Sequence, residues 1–506
     1  MEESPDVVVD HTAGLGRAAL LGAVADADAL IVRSATQVDA ELIEAAPKLK
    51  VVGRAGVGVD NVDLEAATRR GIVVTNTPAA NTIATVEQTL ALMLAAARHV
   101  ARAHTSVAEG RWERGAFTGR ELFGRTLGIV GLGRIGREVA HRTHAFGMRV
   151  LAADPYISEL TARDVGVELV DLDELLVAAD VITLHAVSPP GSPPLLDSAA
   201  FARVKSGAMV VNAARGSLID ARAAAAALDA GRLSALAIDV YDQEPPPASH
   251  PLVGRPDVIH TPHLGASTVE AQRAVSIQVV GDVLAALRGD PIENAVNVPF
   301  QLDTDAEVQL RLAEAIGRLH AALAPRAIAR IDVEVANATH DLTKTVAAGF
   351  LSGLLRLHDA AVNYVSAPQL AAERGLVVSE GSQIATLDYP NLMSCRVGWD
   401  GGGRTVSGVV FVGKEPRIVA IDDYHLDARP EGVVLVLQSR DVPGVIAEVA
   451  AILGAHGVNV AEWRLGRDTP GGRAVSFINL DSMPSPGAIE AIRGAAAVDT
   501  AIAVAL

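Results

Sequence analysis

The stretch Leu127-Gly128-Ile129-Val130-Gly131-Leu132-Gly133-Arg134-Ile135-Gly136 constrains this chain more than any other, because a helical pattern follows it and then Val150-Leu151-Ala152-Ala153-Asp154. An apolar strand running into Gly-x-Gly-x-x-Gly, a helix, and a second apolar strand ending in an acid make a βαβ unit, which belongs in a parallel sheet covered by helices. Gly131 permits the tight turn, Gly133 lets an anionic group approach the backbone, and Gly136 lets the helix lie close on the strand. The helix start at Arg134 and Ile135 then offers N–H groups to a pyrophosphate. Asp154, 18 residues beyond Gly136, suits ribose hydroxyls and repels a 2′-phosphate, so NAD is expected rather than NADP.

At 506 residues the chain is too long for one core, and three or four domains are expected. Apolar content of 50% with only 3% aromatic residues suits α/β layers, and it leaves few stacking platforms for single-stranded nucleic acid. A formal net charge of −17 argues against nucleic-acid backbones and anionic membranes as partners. A small anionic substrate held by a few local arginines stays open. Cys395 is the only cysteine, so no intrachain disulfide or thiolate metal cluster can form; no metal is expected, and a reducing cytoplasm fits. The acidic start Met1-Glu2-Glu3 has no signal-peptide pattern, and the apolar run Leu90 to Ala97 is too short to span a bilayer.

Residues 6 to 100 alternate apolar strands (Val7–Val9, Ala29–Val32, Lys50–Gly53, Ile72–Thr75) with helical stretches, as an α/β domain does. Arg33 and Arg54 end two of these strands and can clamp a carboxylate or a phosphate; Gly56, Val57 and Gly58 can add backbone N–H groups. A long helix is predicted from about Val86 to Glu109, crossing into the cofactor domain. Beyond it Trp112, between Arg111 and Arg114, suits a partner-subunit contact. The βα alternation continues to Val258-Ile259-His260-Thr261, residues 271–290 read as a helix, and 291–307 as a linker. From 308 to 430 the pattern is α+β, and the last 75 residues read β-α-β-β-α-β, the order of a ferredoxin-like module.

Three strand ends carry groups suited to hydride transfer at an α-hydroxy acid. His263 can accept the hydroxyl proton, Glu244 can hold the other ring nitrogen, and Arg215 can bind the substrate carboxylate and polarise the α-oxygen. His185 also ends a strand and is expected near the cofactor, as is Asp239.

On Arg33-Ser34-Ala35-Thr36, Arg54 to Asn61, the Gly131 fingerprint, Asp154-Pro155-Tyr156, Asn212 to Gly216, Glu244-Pro245 and Pro262 to Thr268, the chain resembles the D-isomer-specific 2-hydroxyacid dehydrogenases. Within that family it is similar to the long form acting on D-3-phosphoglycerate. The resemblance implies NAD-dependent oxidation of D-3-phosphoglycerate to 3-phosphohydroxypyruvate, with Arg215, Glu244 and His263 catalytic. It implies substrate binding by Arg33, Arg54, Gly56, Val57, Asn81, Trp112 and Arg114, the last two reaching a partner subunit. The implied fold is α/β with two doubly wound Rossmann-like domains, for substrate (1–97 with 285–304) and NAD (98–284). An α+β intervening domain (305–430) and a ferredoxin-like ACT domain (431–506) follow. Asp441 and Asn459 would hold L-serine, and the family expectation is a homotetramer. The proline-rich stretch from His185 to Pro194, Ser217, and Ser439 where some serine-inhibited members carry an aromatic residue depart from the family pattern.

Two other readings compete. A glyoxylate or hydroxypyruvate reductase would share the Arg–Glu–His set without needing phosphate-binding arginines. A dinucleotide-sensing corepressor would bind NAD with negligible turnover, and the intact set of three argues against it.

Overall fold

The computed structural model describes residues 7–11, 14–187, 191–288, 290, 292–298, 304–357, 359–382, 389–411 and 415–506. The acidic start Met1–Asp6 and residues 188–190 of the proline-rich stretch lie outside them. The chain divides into two compact units, Met1–Arg54 with Asn61–Asn76 and Val279–Leu506, and Ala55–Asp60 with Thr77–Gln278.

The first unit opens with three parallel strands in the order β1 (Ala29–Val32), β2 (Val51–Arg54), β3 (Val73–Thr75). Val51, Val52 and Val74 have almost no exposed surface, as in a parallel sheet covered on both faces. The strand expected at Val7–Val9 is absent: these residues have no ladder partner, and Val8 is 98% exposed. Part of the expected linker instead extends the sheet edge. Val296 N–H donates to the Val74 carbonyl at 2.7 Å, and Asn297 Oδ1 accepts from Val74 N–H at 2.8 Å, so polar residues without periodicity satisfy the open edge of β3.

The second unit holds seven parallel strands: β4 (Thr126–Val130), β5 (Arg149–Ala153), β6 (Glu168–Leu169), β7 (Val181–Leu184), β8 (Ala208–Asn212), β9 (Leu233–Ile238) and β10 (Val258–His260). Their order is β10-β9-β8-β7-β4-β5-β6, so the winding reverses between β4 and β7. Ligands of such sheets bind outside the carboxyl ends at that reversal. The groups singled out above, Gly131, Asp154, His185, Arg215, Asp239 and His263, all follow strand ends on that side.

The single helix expected from Val86 to Glu109 is two helices, Thr82–Arg98 and Val100–Ala108, separated by His99 at φ 53°. Arg120 N–H donates to the Ala97 carbonyl at 2.8 Å, taking that carbonyl out of the helical ladder. A Cβ at Gly119 would lie 2.5 Å from the same oxygen, so only glycine lets the chain approach there. The first helix buries Val86, Leu92, Met93, Ala96 and Ala97 in the core of this unit with Leu127, Ile129 and Val139.

The rest of the first unit carries two further sheets. β11 (Arg330–Val335), β12 (Val377–Gly381), β13 (Met393–Trp399), β14 (Gly402–Phe411), β15 (Glu415–Ile421) and β16 (Tyr424–Ala428) run in the order β12-β11-β13-β14-β15-β16, with helices Thr304–Leu323 and His340–Arg356 packed on them. β17 (Val433–Arg440), β18 (Val460–Arg467), β19 (Arg473–Leu480) and β20 (Val498–Ala505), in the order β18-β19-β17-β20, form with helices Val445–Ala455 and Pro486–Arg493 the predicted βαββαβ module. Alternation along β17 and β19 divides its two faces. Leu435, Leu437 and Ile478 meet the module's own helices, whereas Val434, Val436 and Phe477 join the core of the six-stranded layer. Among the described residues no helix is long and apolar enough to cross a membrane.

Candidate active site

The dinucleotide end is built from β4 and β5. Gly131 takes φ 94°, and a Cβ there would lie 2.7 Å from the backbone of His185. A Cβ at Gly136 would lie 2.2 Å from the Gly131 carbonyl oxygen, so the helix Arg134–His144 meets the strand only because both positions are glycine. Gly133 has open space where a Cβ would stand, and no side chain caps the helix that starts at Arg134 and Ile135. Uncapped helix N–H groups beside open space at Gly133 fit an NAD pyrophosphate. Asp154 accepts from Leu132 N–H at 2.8 Å and Tyr156 N–H at 2.9 Å, which fixes its carboxylate at the end of β5. His185 Nε2 meets the Thr183 hydroxyl at 2.9 Å, its Nδ1 is buried with no partner, and burial pulls the imidazole down to about 4.

The strand ends of β8, β9 and β10 hold the other groups. His263 Nδ1 lies 2.7 Å from Glu244 Oε2, leaving Nε2 on the far side of the ring, and 45% of the His263 side chain is exposed. The bond from Glu244 outweighs burial and raises the His263 pKa. Burial pushes the Glu244 carboxyl up, but the hydrogen bonds from His263 and from Tyr241 N–H, with the charges of His263 and Arg215, bring it below its ordinary value. Arg215 donates from Nε to Asp60 Oδ2 at 3.1 Å and from a terminal nitrogen to the Ala214 carbonyl at 2.7 Å. A Cβ at Gly58 would lie 2.1 Å from its guanidinium, so glycine at 58 makes room for the arginine. Asn212 braces the same turn, donating to the Arg215 carbonyl and accepting from Ala214 N–H.

Asp239, expected at the cofactor, is 1% exposed and uses both carboxylate oxygens within the chain. Leu264 N–H and the Thr261 hydroxyl donate to Oδ1, and Gly265 N–H donates to Oδ2. It therefore shapes the turn that carries His263.

The remaining expected residues are dispersed. Arg33 and Arg54 end β1 and β2 in the first unit, where Asn61 Nδ2 donates to the carbonyls of Arg33 and Thr36 at 2.9 and 2.6 Å and closes that loop. In the second unit Gly56 takes φ 149°, Val57 follows it, and the Gly56 carbonyl accepts from Thr77 N–H at 3.0 Å. Asn81 stands at the start of the helix Thr82–Arg98 without capping it, and its Oδ1 is buried with no partner. Trp112 is 78% exposed beside Arg114, which opens a 3₁₀ turn. Asp441 and Asn459 are not bonded to each other. Asp441 accepts from Arg467 and from Gly471 N–H, which holds its carboxyl below the usual range, and Asn459 donates to Asp481 at 2.7 Å. Among the described residues no cluster of His, Cys, Asp and Glu is arranged to hold a metal.

Sequence alone assigns no role to Gly58, Asp60, Asn61, Thr85, Gln88 or Tyr241 beyond the backbone of Gly58. Gly58 to Asn61 lie inside a segment already marked as unusual, so a signal existed there. Thr85 and Gln88 sit on a plain helix and bond to residues 180 and 173 positions away, which leaves no local trace.

Comparison with known proteins gives the family of the chain. Residues 90–265 match the D-isomer specific 2-hydroxyacid dehydrogenase, NAD binding domain; residues 307–422 match the D-3-phosphoglycerate dehydrogenase intervening domain; residues 433–497 match the ACT domain. A D-3-phosphoglycerate dehydrogenase of Archaeoglobus fulgidus is 41% identical over 490 residues, covering 95% of this chain and 93% of its own. Among solved structures, the TT0316 protein of Thermus thermophilus superposes with TM-score 0.52 at 40% identity, covering 56% of this chain and 91% of its own. The D-lactate dehydrogenase of Aquifex aeolicus, complexed with NAD and lactic acid, does so with TM-score 0.50 at 29% identity, covering 53% and 86%.

Proposed function

The chain belongs to the D-3-phosphoglycerate dehydrogenases, and from that premise we propose how its own residues carry the reaction. The enzyme oxidises D-3-phosphoglycerate to 3-phosphohydroxypyruvate with NAD, the first step of serine formation. The observation that carries the assignment of residues is the 2.7 Å bond between His263 Nδ1 and Glu244 Oε2, with Arg215 close enough to act on both charges.

NAD, when bound by Gly131 to Gly136 and Asp154, supplies the hydride acceptor. Glu244 holds the Nδ1 proton of His263, so Nε2 presents a lone pair to the substrate hydroxyl and takes its proton; the imidazolium that results lies against a carboxylate. Arg215 binds the substrate carboxylate through its planar fork and draws charge toward the α-oxygen. Asp60, bonded to Arg215 Nε, sets the plane of that fork. Arg33 and Arg54 with the Gly56 and Val57 backbone serve the phosphate or carboxylate end of the substrate, and the Asn81 amide nitrogen donates to that end while its buried oxygen is left for a substrate hydroxyl. His185, held neutral by burial, serves the nicotinamide end, and Asp239 supports that end by holding the turn that carries His263. Trp112 and Arg114 reach the site of a neighbouring subunit in a homotetramer, a cytoplasmic enzyme whose ACT modules take L-serine at Asp441 and Asn459. The helix Thr82–Arg98, which buries Val86, Leu92 and Met93 with the core of the second unit, supports ending the substrate domain near Asn76.

Steady-state NADH oxidation with 3-phosphohydroxypyruvate, hydroxypyruvate and glyoxylate tests this reading. We expect kcat/KM to favour the phosphorylated acid by more than about tenfold, roughly 1.4 kcal/mol of transition-state discrimination. Equal values would move the enzyme to the general hydroxyacid reductases. Adding L-serine to the same assay tests the effector: inhibition abolished in Asp441→Ala is expected, and inhibition unchanged in that variant would place the effector elsewhere.

A further inference from the structure

We infer that Thr85 and Gln88, on the helix Thr82–Arg98, are positioning residues that clamp the turn carrying His263 and register it to the substrate-facing Asn81. The inference rests on His263 being the proton acceptor.

His263 has φ 55°, a left-handed conformation that is strained for a non-glycine residue and persists only where its surroundings hold it. Within the turn, His263 N–H donates to the Asp239 carbonyl at 2.8 Å, and the Asp239 carboxylate takes the Leu264 and Gly265 N–H groups. The helix then grips the turn on both sides of the histidine. On one side the Thr85 hydroxyl donates to the Gly265 carbonyl at 3.1 Å, from a side chain only 4% exposed. On the other, Gln88 Nε2 donates to the Thr261 hydroxyl at 3.1 Å, and that hydroxyl donates in turn to Asp239 Oδ1 at 2.5 Å. Gln88 also reaches Asp239 Oδ1 at 3.5 Å.

The spacing is as informative as the contacts. Asn81, Thr85 and Gln88 stand at i, i+4 and i+7, one stripe of one helix. Thr89 shows the alternative: its hydroxyl bonds back to the Thr85 carbonyl, as a threonine with no external partner does in a helix. Thr85 instead spends its hydroxyl on a residue 180 positions away. Two rigid turns therefore tie a buried, unpartnered amide oxygen at Asn81 to the backbone on either side of the proton acceptor.

The test is the Thr85→Val/Gln88→Leu double variant of the full-length enzyme, with Thr85→Ser in a Gln88→Leu background and His263→Ala alongside. We expect the double variant to keep NAD affinity and Tm while kcat falls about tenfold or more with little change in KM, since small misplacements at a reacting centre carry large rate costs. Its acid limb in kcat/KM should move toward the ordinary histidine value as the Glu244–His263 bond loosens, and Thr85→Ser should restore the share lost by Thr85→Val. Wild-type kcat and an unmoved limb in the double variant would overturn the clamp, as would a loss of rate that follows a fall in Tm and is not rescued by serine. An active His263→Ala would refute instead the assignment of His263.

Discussion

His263, in the unit that holds the dinucleotide fingerprint, and His320, in the helical layer over the six-stranded sheet, each anchor one ring nitrogen, the first to Glu244 Oε2 at 2.7 Å and the second to the Cys395 carbonyl at 3.0 Å. Their surroundings make them different groups. His263 is nearly half exposed and faces a carboxylate, so its charged form is favoured and its proton can come and go. His320 has no exposed surface, its second nitrogen has no partner, its ring packs edge-on against Phe350, and burial pulls it down to about 3. A buried histidine held by a carbonyl is a fixed polar strut, whereas an accessible one held by a carboxylate is a base. Residue type alone does not separate them; the partner's charge and access to solvent do.

The largest effect should come from the side of the comparison that does chemistry. Arg215→Leu removes the fork that draws charge to the α-oxygen, and we expect kcat to fall by about 10²–10³, as when a single transition-state donor is lost, with unfolding in urea nearly unchanged. A loss of stability in place of a loss of rate would make Arg215 a structural residue like His320.

His320→Leu should do the reverse. With the Cys395 carbonyl deprived of its donor, we expect a loss of about 1–3 kcal/mol in urea unfolding with wild-type kcat. The sign of the pH effect also differs between the two sites. The folded pKa of His320 lies far below the unfolded value of 6.5, so the unfolded chain binds the extra proton and stability falls as pH drops from 6.5 toward 3, by about 2 kcal/mol at pH 5 from this group. His320→Leu should flatten that loss, and an equal loss in wild type and variant would show that the strut does not couple to acid stability.

What could be read in the sequence follows the same division between local and distant causes. The Gly131–Gly133–Gly136 turn, Asp154 and the βαββαβ order of the last module are set by short-range backbone demands, and they stand where the spacing puts them. Glu244 and His263 were legible because strand ends in a parallel sheet collect functional groups. The break at His99 was not, because no proline or glycine marks it and its cause is the Ala97 carbonyl captured by Arg120. Asn297 looked like a linker residue, although its side chain finishes the edge of β3. Thr85 and Gln88 carried no signal, since their partners lie far along the chain.

If Glu244 is what makes His263 the base, the pH dependence of kcat/KM for D-3-phosphoglycerate oxidation in wild type and Glu244→Gln tests it most directly. His263 must be unprotonated to accept the proton, so the wild-type rate should fall as pH drops through a value above 6.5, the direction in which Glu244 shifts it. In Glu244→Gln that limb should move down toward 6.5, with a lower plateau. A limb that stays in place when the carboxylate is removed would contradict the account.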